Sequence, residues 1–256
     1  MSKTNKTFWY TVASDDQHLK EEVPKFMKSF KKFHPNIDLN VITLNDLRAM
    51  SPSPYYDYSF KLTPLTLMNV MKDYDCAVRL DSDQIVLGNL EHVIDGDFDV
   101  AVVQNSNPRD WKNHYELTGQ RLTLYDIDPL DYVNCGFVVV KSKRFVSHWW
   151  ELINRGFFQN YQFREQDMLN LLTYYFPYKV KYLDRVGNKW HGLISKLYTP
   201  HMILRDGKVI LPPTEWNKEE KEIVCYHYAG GGGATKGKYK LLFNDEVADY
   251  IEKFTI

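Results

Sequence analysis

The chain has 256 residues, with 32 Lys plus Arg against 33 Asp plus Glu and a formal net charge of -1. That balance argues against nucleic acid as the main partner, because phosphate-backbone binding needs a surplus of Lys and Arg. The 15% aromatic content excludes disorder, and no apolar run approaches the ~20 residues of a membrane span.

Residues 8–13 (FWYTVA) are the first predicted strand. This run is too short for a signal-peptide core, and no small-residue cleavage site follows it. Residues 17–33 place Leu19, Val23, Phe26, Met27, Phe30 and Phe33 at helical spacing with lysines between them. Residues 39–44 alternate as a strand, and Asn45 or Asp46 can cap a short turn after it. Thr63-Pro64 opens a predicted helix to residue 71. Residues 76–80 (CAVRL) and 85–87 read as strands around a polar tripeptide, and 98–104 as another strand. Residues 106–131 are polar and irregular, whereas 136–140 (GFVVV) form a continuous apolar run of the buried-strand type. Residues 143–154 and 165–176 read as helices, 180–183 and 223–228 as strands. Four glycines and alternating lysines fill 229–240, and a closing helix over 244–253 takes Asn244 as its N-cap.

This alternation predicts an α/β sandwich with a mixed, mainly parallel sheet. No Pro/Ser/Gly linker divides the chain, so a single domain over 1–256 is expected. Three cysteines (Cys76, Cys135, Cys225) share no CxxC spacing and lie in apolar strand-like segments. Reduced thiols and a cytoplasmic location are the expectation.

Ligand sites in open α/β sheets form beyond the carboxyl ends of strands, which directs attention to polar residues after apolar runs. Asp81-Ser82-Asp83 interrupts such a run. Strand periodicity points both acids the same way, and two hard oxygens on one side suit Mg²⁺ or Mn²⁺. A strand-end turn salt-bridged to Arg79 would also satisfy them. His227 ends an apolar strand before the glycines and can supply an imidazole to the same ion, or be a core histidine. The loop from Gly230 allows close backbone approach to phosphate, with Lys236 or Lys238 to neutralise it. Asn134-Cys135-Gly136 before GFVVV has the composition of a turn. Glu165-Gln166-Asp167 opens a helix, where acids suit the dipole and a polar ligand can be met. Ala13-Ser14-Asp15 follows the first strand, either as a helix cap or as an acceptor for a base or ribose.

In this order the motifs resemble the retaining glycosyltransferases of family 8, the glycogenin and lipopolysaccharide galactosyltransferase group, over about residues 8–240. The resemblance implies a GT-A type, Rossmann-like α/β/α sandwich with a nucleotide-binding half at about 7–105, an acceptor and catalytic half at about 106–240 and a closing helix at 244–254. Ala13, Ser14 and Asp15 match the turn that contacts uracil, and Lys61 the cation on the diphosphate side. Asp81-Ser82-Asp83 matches the metal-binding Asp-x-Asp, and Asn134-Cys135-Gly136 the Asn-Ala-Gly bordering the donor sugar. Glu165-Gln166-Asp167 is similar to the Asp-Gln-Asp beneath the anomeric carbon, and His227 to Gly230 matches a late His-x-x-Gly. The chain departs from the pattern in Cys135, in Glu165, and in a longer loop before Lys236 that ends without Pro-Trp.

The implied activity is transfer of a hexose from a UDP-sugar to a hydroxyl of a glycan, lipid-linked glycan or protein. Asp81, Asp83 and His227 would hold Mn²⁺ (or Mg²⁺), and Gln166 and Glu165 would face the sugar. Three other classes compete. A sugar-nucleotide pyrophosphorylase or nucleotidyltransferase opens with a glycine loop that residues 11–20 lack. A haloacid-dehalogenase-type phosphatase carries its Asp-x-Asp after the first strand. A non-catalytic nucleotide-sugar-binding protein of the same fold would retain no turnover.

Overall fold

The structure, a computed structural model, describes residues 6–13, 18–50, 62–105, 127–128, 131–155, 164–185, 188–192, 199–213, 218–228 and 243–255. The strands of its main sheet are β1 (Thr7–Ala13), β2 (Leu39–Thr43), β3 (Cys76–Leu80), β5 (Val100–Gln104), β6 (Val133–Val140) and β7 (Val180–Tyr182). β4 (Gln84–Val86) lies outside that sheet. The order is β2-β1-β3-β6-β5-β7, and β6 alone runs against its neighbours. The reversal brings the N-terminal end of β6 to the edge where β1 and β3 finish.

Side-chain alternation gives the sheet two faces. Trp9, Val78, Leu80, Phe137 and Val139 pack with Phe26 and Phe30 of α1 (Val23–Phe33). Tyr10, Ala77, Val138 and Val140 face the other way. They pack among Leu67 of α3 (Leu62–Val70), Phe145 and Trp149 of α4 (Lys143–Asn154), and Met168, Leu169 and Leu172 of α5 (Glu165–Tyr175). The segment Leu44–Met50 (α2) closes this face through Leu47. Trp149 and Phe145 are fully buried, and burying a large apolar side chain stabilises by about 1.5–3 kcal/mol.

Two predicted elements differ in form. The helix expected over 17–33 opens with a wider π-type turn, His18–Glu22, before α1. The strand expected over 223–228 is two short strands, β11 (Lys221–Ile223) and β12 (Cys225–His227), separated at Val224. The split lets them serve different sheets. β12 pairs with β4, whereas β11 joins β8 (Lys189–Trp190), β10 (Lys208–Leu211) and β9 (Ile203–Arg205) in the order β8-β11-β10-β9.

This four-stranded sheet was not anticipated from the sequence. Its strands hold two to four residues each, too few to show a period. One signal was present: Asp206-Gly207 between ILR and KVIL, a hairpin dipeptide. Both residues take positive φ, 52° and 72°. The sheet shares its core with α6 (Asp245–Thr255), through Val209, Leu211, Ile223, Tyr226, Val247 and Ile251. Asn244 caps α6 as expected, its Oδ1 accepting from the Val247 N–H at 3.0 Å. No helix among the described residues is long and apolar enough to cross a membrane.

Gly192 and Gly207 both sit at positive φ, 84° and 72°, but in different surroundings. A Cβ on Gly207 meets no heavy atom within 4 Å among the described residues, whereas one on Gly192 would lie 2.7 Å from the buried Val103 side chain. Gly207→Ala is expected to cost about 1–2 kcal/mol for backbone strain alone. Gly192→Ala should cost about 1–3 kcal/mol more from overpacking. Urea unfolding of the two variants checks the ordering.

Candidate functional site

β3 ends at Leu80 and β4 begins at Gln84, so Asp81-Ser82-Asp83 is a tight turn between two strands. Of the two readings open from the sequence, the strand-end turn salt-bridged to Arg79 is the form observed: the carboxylates converge because the chain turns, not because of a strand period. The turn is held against β6. The Asp81 N–H donates to the Gly136 carbonyl at 2.8 Å, and the Gln84 amide donates to the same oxygen at 2.8 Å. The Cys225 thiol donates to Gln84 Oε1 at 3.2 Å. β12 pairs antiparallel with β4 and sets His227 opposite Gln84. Backbone bonds from His227 N–H to the Gly192 carbonyl (2.9 Å) and from Tyr228 N–H to the Asp83 carbonyl (3.2 Å) fix that register.

His227 Nε2 therefore lies 2.9 Å from Asp83 Oδ1 and 3.8 Å from Asp81 Oδ2, with the ring 3% exposed. The three ligand atoms fall within 4.8 Å of one another. Asp81, Asp83 and His227 can hold a metal ion: two carboxylate oxygens and an imidazole nitrogen converge on one volume. Gly136 makes this approach feasible. A Cβ there would stand 2.5 Å from His227 Cε1, 2.6 Å from Asp81 Oδ2 and 2.7 Å from Asn134 Oδ1.

Burial sets the proton affinities here, and the neighbours correct it. Burial pushes the Asp81 carboxyl above its ordinary range, and Arg79 and His227 only partly oppose this. Asp83 moves down: burial would raise it, but the His227 charge and hydrogen bond outweigh that. Burial would depress His227, yet the charge and hydrogen bond of Asp83 together with Asp81 carry its ring above the usual imidazole value.

Asn134, Cys135 and Gly136 belong to β6 and are not a turn ahead of it. The pairing with β5 slips here, from Val102 opposite Val138 to Val103 opposite Asn134. A bulge re-aims these residues toward the acids. α5 grips the bulge. Gln166 Oε1 accepts from Asn134 Nδ2 at 3.0 Å and from the Cys135 N–H at 3.1 Å, and its Nε2 donates to the Tyr132 hydroxyl at 3.2 Å. That hydroxyl donates to Asp167 Oδ1 at 2.6 Å, and the Asn170 amide bonds both backbone groups of Val133. Glu165 begins α5, and burial pushes its carboxyl up to about 8.

Asp81, Asp83, Asn134, Cys135, Gly136, Gln166 and His227 thus come together, with Glu165 next to Gln166. Ser82 points elsewhere, its hydroxyl donating to Glu22 Oε2 at 3.4 Å. Ala13 is buried at the end of β1, three residues past the last β1–β3 partner, on the same sheet edge. Ser14, Asp15, Lys61, Gly230, Lys236 and Lys238 lie outside the described residues. Sequence reasoning missed Tyr132, Asn170 and Gln84, which carry no motif. It named Arg79 only as a salt-bridge partner, although a charge inside CAVRL on the same strand parity as Asp81 was a visible signal.

No protein-family model matches the chain, and no curated protein matches it by sequence. Solved structures do. The galactosyltransferase LgtC in complex with donor and acceptor sugar analogues is similar at TM-score 0.58 and 15% identity, over 97% of this chain and 94% of that one. The bifunctional glycosyltransferase WbbM in its apo form is similar at TM-score 0.57 and 14% identity, over 100% of this chain and 50% of WbbM. A glycosyltransferase involved in glycosylation of the PBCV-1 major capsid gives TM-score 0.50 at 12% identity, over 97% and 99%. At these identities the likeness shows the fold: a GT-A type α/β/α sandwich with a mixed, mainly parallel sheet.

Two measurements follow from the titrating groups. A cation needs a neutral imidazole, and His227 holds its proton more tightly than an ordinary histidine. Binding of a divalent cation should therefore still release a proton at pH values where an ordinary histidine is already neutral, with affinity rising as pH rises; titration calorimetry in buffers of differing ionisation enthalpy reads both. Glu165 is ordinarily at 4.5 and stands at about 8 in the fold. Across that window the folded chain holds a proton that the unfolded chain has lost, so stability falls as pH rises. In EDTA, Glu165→Gln should raise the unfolding midpoint over wild type most above pH 8 and least below pH 4.5.

Proposed function

We propose that the protein is a metal-dependent, retaining glycosyltransferase of the family 8 kind that transfers a hexose from a UDP-sugar to an acceptor hydroxyl. The observation that carries this is the convergence of Asp81, Asp83 and His227 across Gly136, at the strand-end edge of a GT-A fold. Asp81, Asp83 and His227 would hold Mn²⁺ (or Mg²⁺). When bound, the ion supplies Lewis-acid stabilisation of charge on a leaving diphosphate.

The remaining roles belong to the protein. Ala13, Ser14 and Asp15 would receive the nucleoside at the end of β1. Lys61, the backbone from Gly230, and Lys236 or Lys238 would offset the diphosphate charge. Asn134 and Glu165 would orient sugar hydroxyls, with Gln166 near the anomeric carbon. Gln166 is a poor nucleophile by chemistry, and its oxygen already accepts two N–H bonds. Glu165 is the nearby carboxylate, and burial keeps it protonated at neutral pH, which weakens it as a nucleophile. Both features favour front-side, ion-pair-like displacement over a covalent glycosyl-enzyme. The acceptor is a glycan, a lipid-linked glycan or a protein. We place the protein, as one domain, in the cytoplasm: its three cysteines are free.

The test is a screen of UDP- and GDP-sugars for Mn²⁺-dependent hydrolysis or transfer, with Asp83→Asn as control. Asp83→Asn should lose at least about a hundredfold in turnover, while its unfolding midpoint in EDTA stays within a few degrees. Full activity of that variant with added Mn²⁺ sinks the assignment. Release of pyrophosphate from a nucleoside triphosphate would indicate the pyrophosphorylase class, and UDP binding without turnover the non-catalytic one.

A further inference from the structure

Arg79 is a cation in the middle of an otherwise apolar strand, 6% exposed. Burying a guanidinium is expensive unless its charge and N–H groups are met. It lies two residues before Asp81, on the face of β3 turned toward α5, and electrostatically near Tyr10 and Glu165. Nη2 donates to Asp81 Oδ1 at 2.5 Å, and Nη1 donates to the Cys135 carbonyl at 2.5 Å. The guanidinium therefore does not grip Asp81 as a two-pronged fork, its usual mode with a carboxylate. It takes one oxygen and leaves the other. That other oxygen, Oδ2, is the one 3.8 Å from His227 Nε2 and the one a Cβ on Gly136 would strike.

We propose that Arg79 is a positioning residue for the cation site: it fixes Asp81 so that only Oδ2 is offered to the ion, and it ties that carboxylate to the β6 bulge through Cys135. The proposal rests on the reading of Asp81, Asp83 and His227 as the ion-holding set. The division of labour between the oxygens follows from the geometry. Asp81 is pinned at its N–H by the Gly136 carbonyl and at Oδ1 by Arg79, so the carboxylate cannot rotate to chelate with both oxygens. Arg79 is pinned in turn by Cys135. A divalent ion, two carboxylates and this guanidinium sum to one net positive charge, with neutral His227 and protonated Glu165 adding nothing. An anionic diphosphate would face that surplus. The rival role for Arg79 is a stand-in counter-ion that leaves Asp81 when a cation arrives.

The deciding variant is Arg79→Lys, which keeps the charge and loses the geometry. Free Mn²⁺ is followed by electron paramagnetic resonance in wild type, Arg79→Lys and Asp83→Asn, with urea midpoints in EDTA as the folding control. Wild type should bind Mn²⁺, and Arg79→Lys should bind about tenfold or more weakly, the usual loss on removing a group that orients a ligand. Wild-type affinity in a folded Arg79→Lys overturns the proposal and leaves the ion-holding set standing. Failure of wild type to bind, or Asp83→Asn binding as wild type does, overturns the ion-holding set itself and this proposal with it. If Arg79→Lys does not fold, ¹⁵N-arginine spectra of wild type with and without Mg²⁺ decide. Arg79 N–H signals that stay protected at saturating Mg²⁺ support the positioning role, and signals that become exchange-averaged establish the stand-in role instead.

Discussion

The site depends on a contact that admits no side chain. Asp81, Asn134 and His227 come from three separated stretches of sequence and meet over the Cα of Gly136, where any Cβ would fall inside their van der Waals radii. The same residue supplies the carbonyl that accepts from both Asp81 N–H and the Gln84 amide. Gly136 is thus a spacer and an anchor at once. It can be both because β6 runs against its neighbours, which delivers its bulged N-terminal end to the edge where β3 turns into β4.

Around that contact the fold buries charge on a scale that is costly unless closed on itself. Arg79 meets Asp81, His227 meets Asp83, and each pair lies within reach of the other. With His227 protonated the set is neutral, so it can sit under the sheet edge in the absence of an ion. It is also poised: exchanging one imidazole proton for a divalent cation changes its net charge by one unit, while the surrounding backbone bonds stay in place. The network across Tyr132, Asp167, Gln166 and Asn170 gives the opposite wall no comparable freedom, since each polar group there is committed to β6 or to α5.

What the sequence disclosed follows from the range of the forces involved. The main strands and helices were legible because β1, β3, β5, β6 and the long helices each bury enough apolar residues at a fixed period to declare themselves. The Asp81, Asp83 and His227 grouping was legible because charges inside apolar runs need a reason. The β8–β11 sheet was not: strands of two to four residues show no period, and only Asp206-Gly207 marked one hairpin. The β6 bulge was not legible either. Asn-x-Gly has the composition of a turn, and its placement within a strand is decided by the slip against Val103, a long-range pairing that local sequence does not encode. The grip of Gln166 on that bulge is of the same non-local kind.

The near-equality of 32 basic and 33 acidic residues takes on a local meaning once these pairings are known. Some of the outer charge cancels in exposed pairs such as Lys179–Asp97 and Arg205–Glu220, which contribute little to stability. The charges at the strand-end edge are few, buried or half-buried and mutually oriented, so their field is screened less by water and salt. A protein with a net charge of only -1 can therefore still present a focused positive potential to a small anion once a divalent ion is held there. Its composition also holds no surplus of Lys and Arg for a polyanion. On the proposed reading this favours a donor with a compact diphosphate, and it leaves the acceptor to be recognised by shape and hydrogen bonds, since the molecule as a whole has no electrostatic preference to offer it.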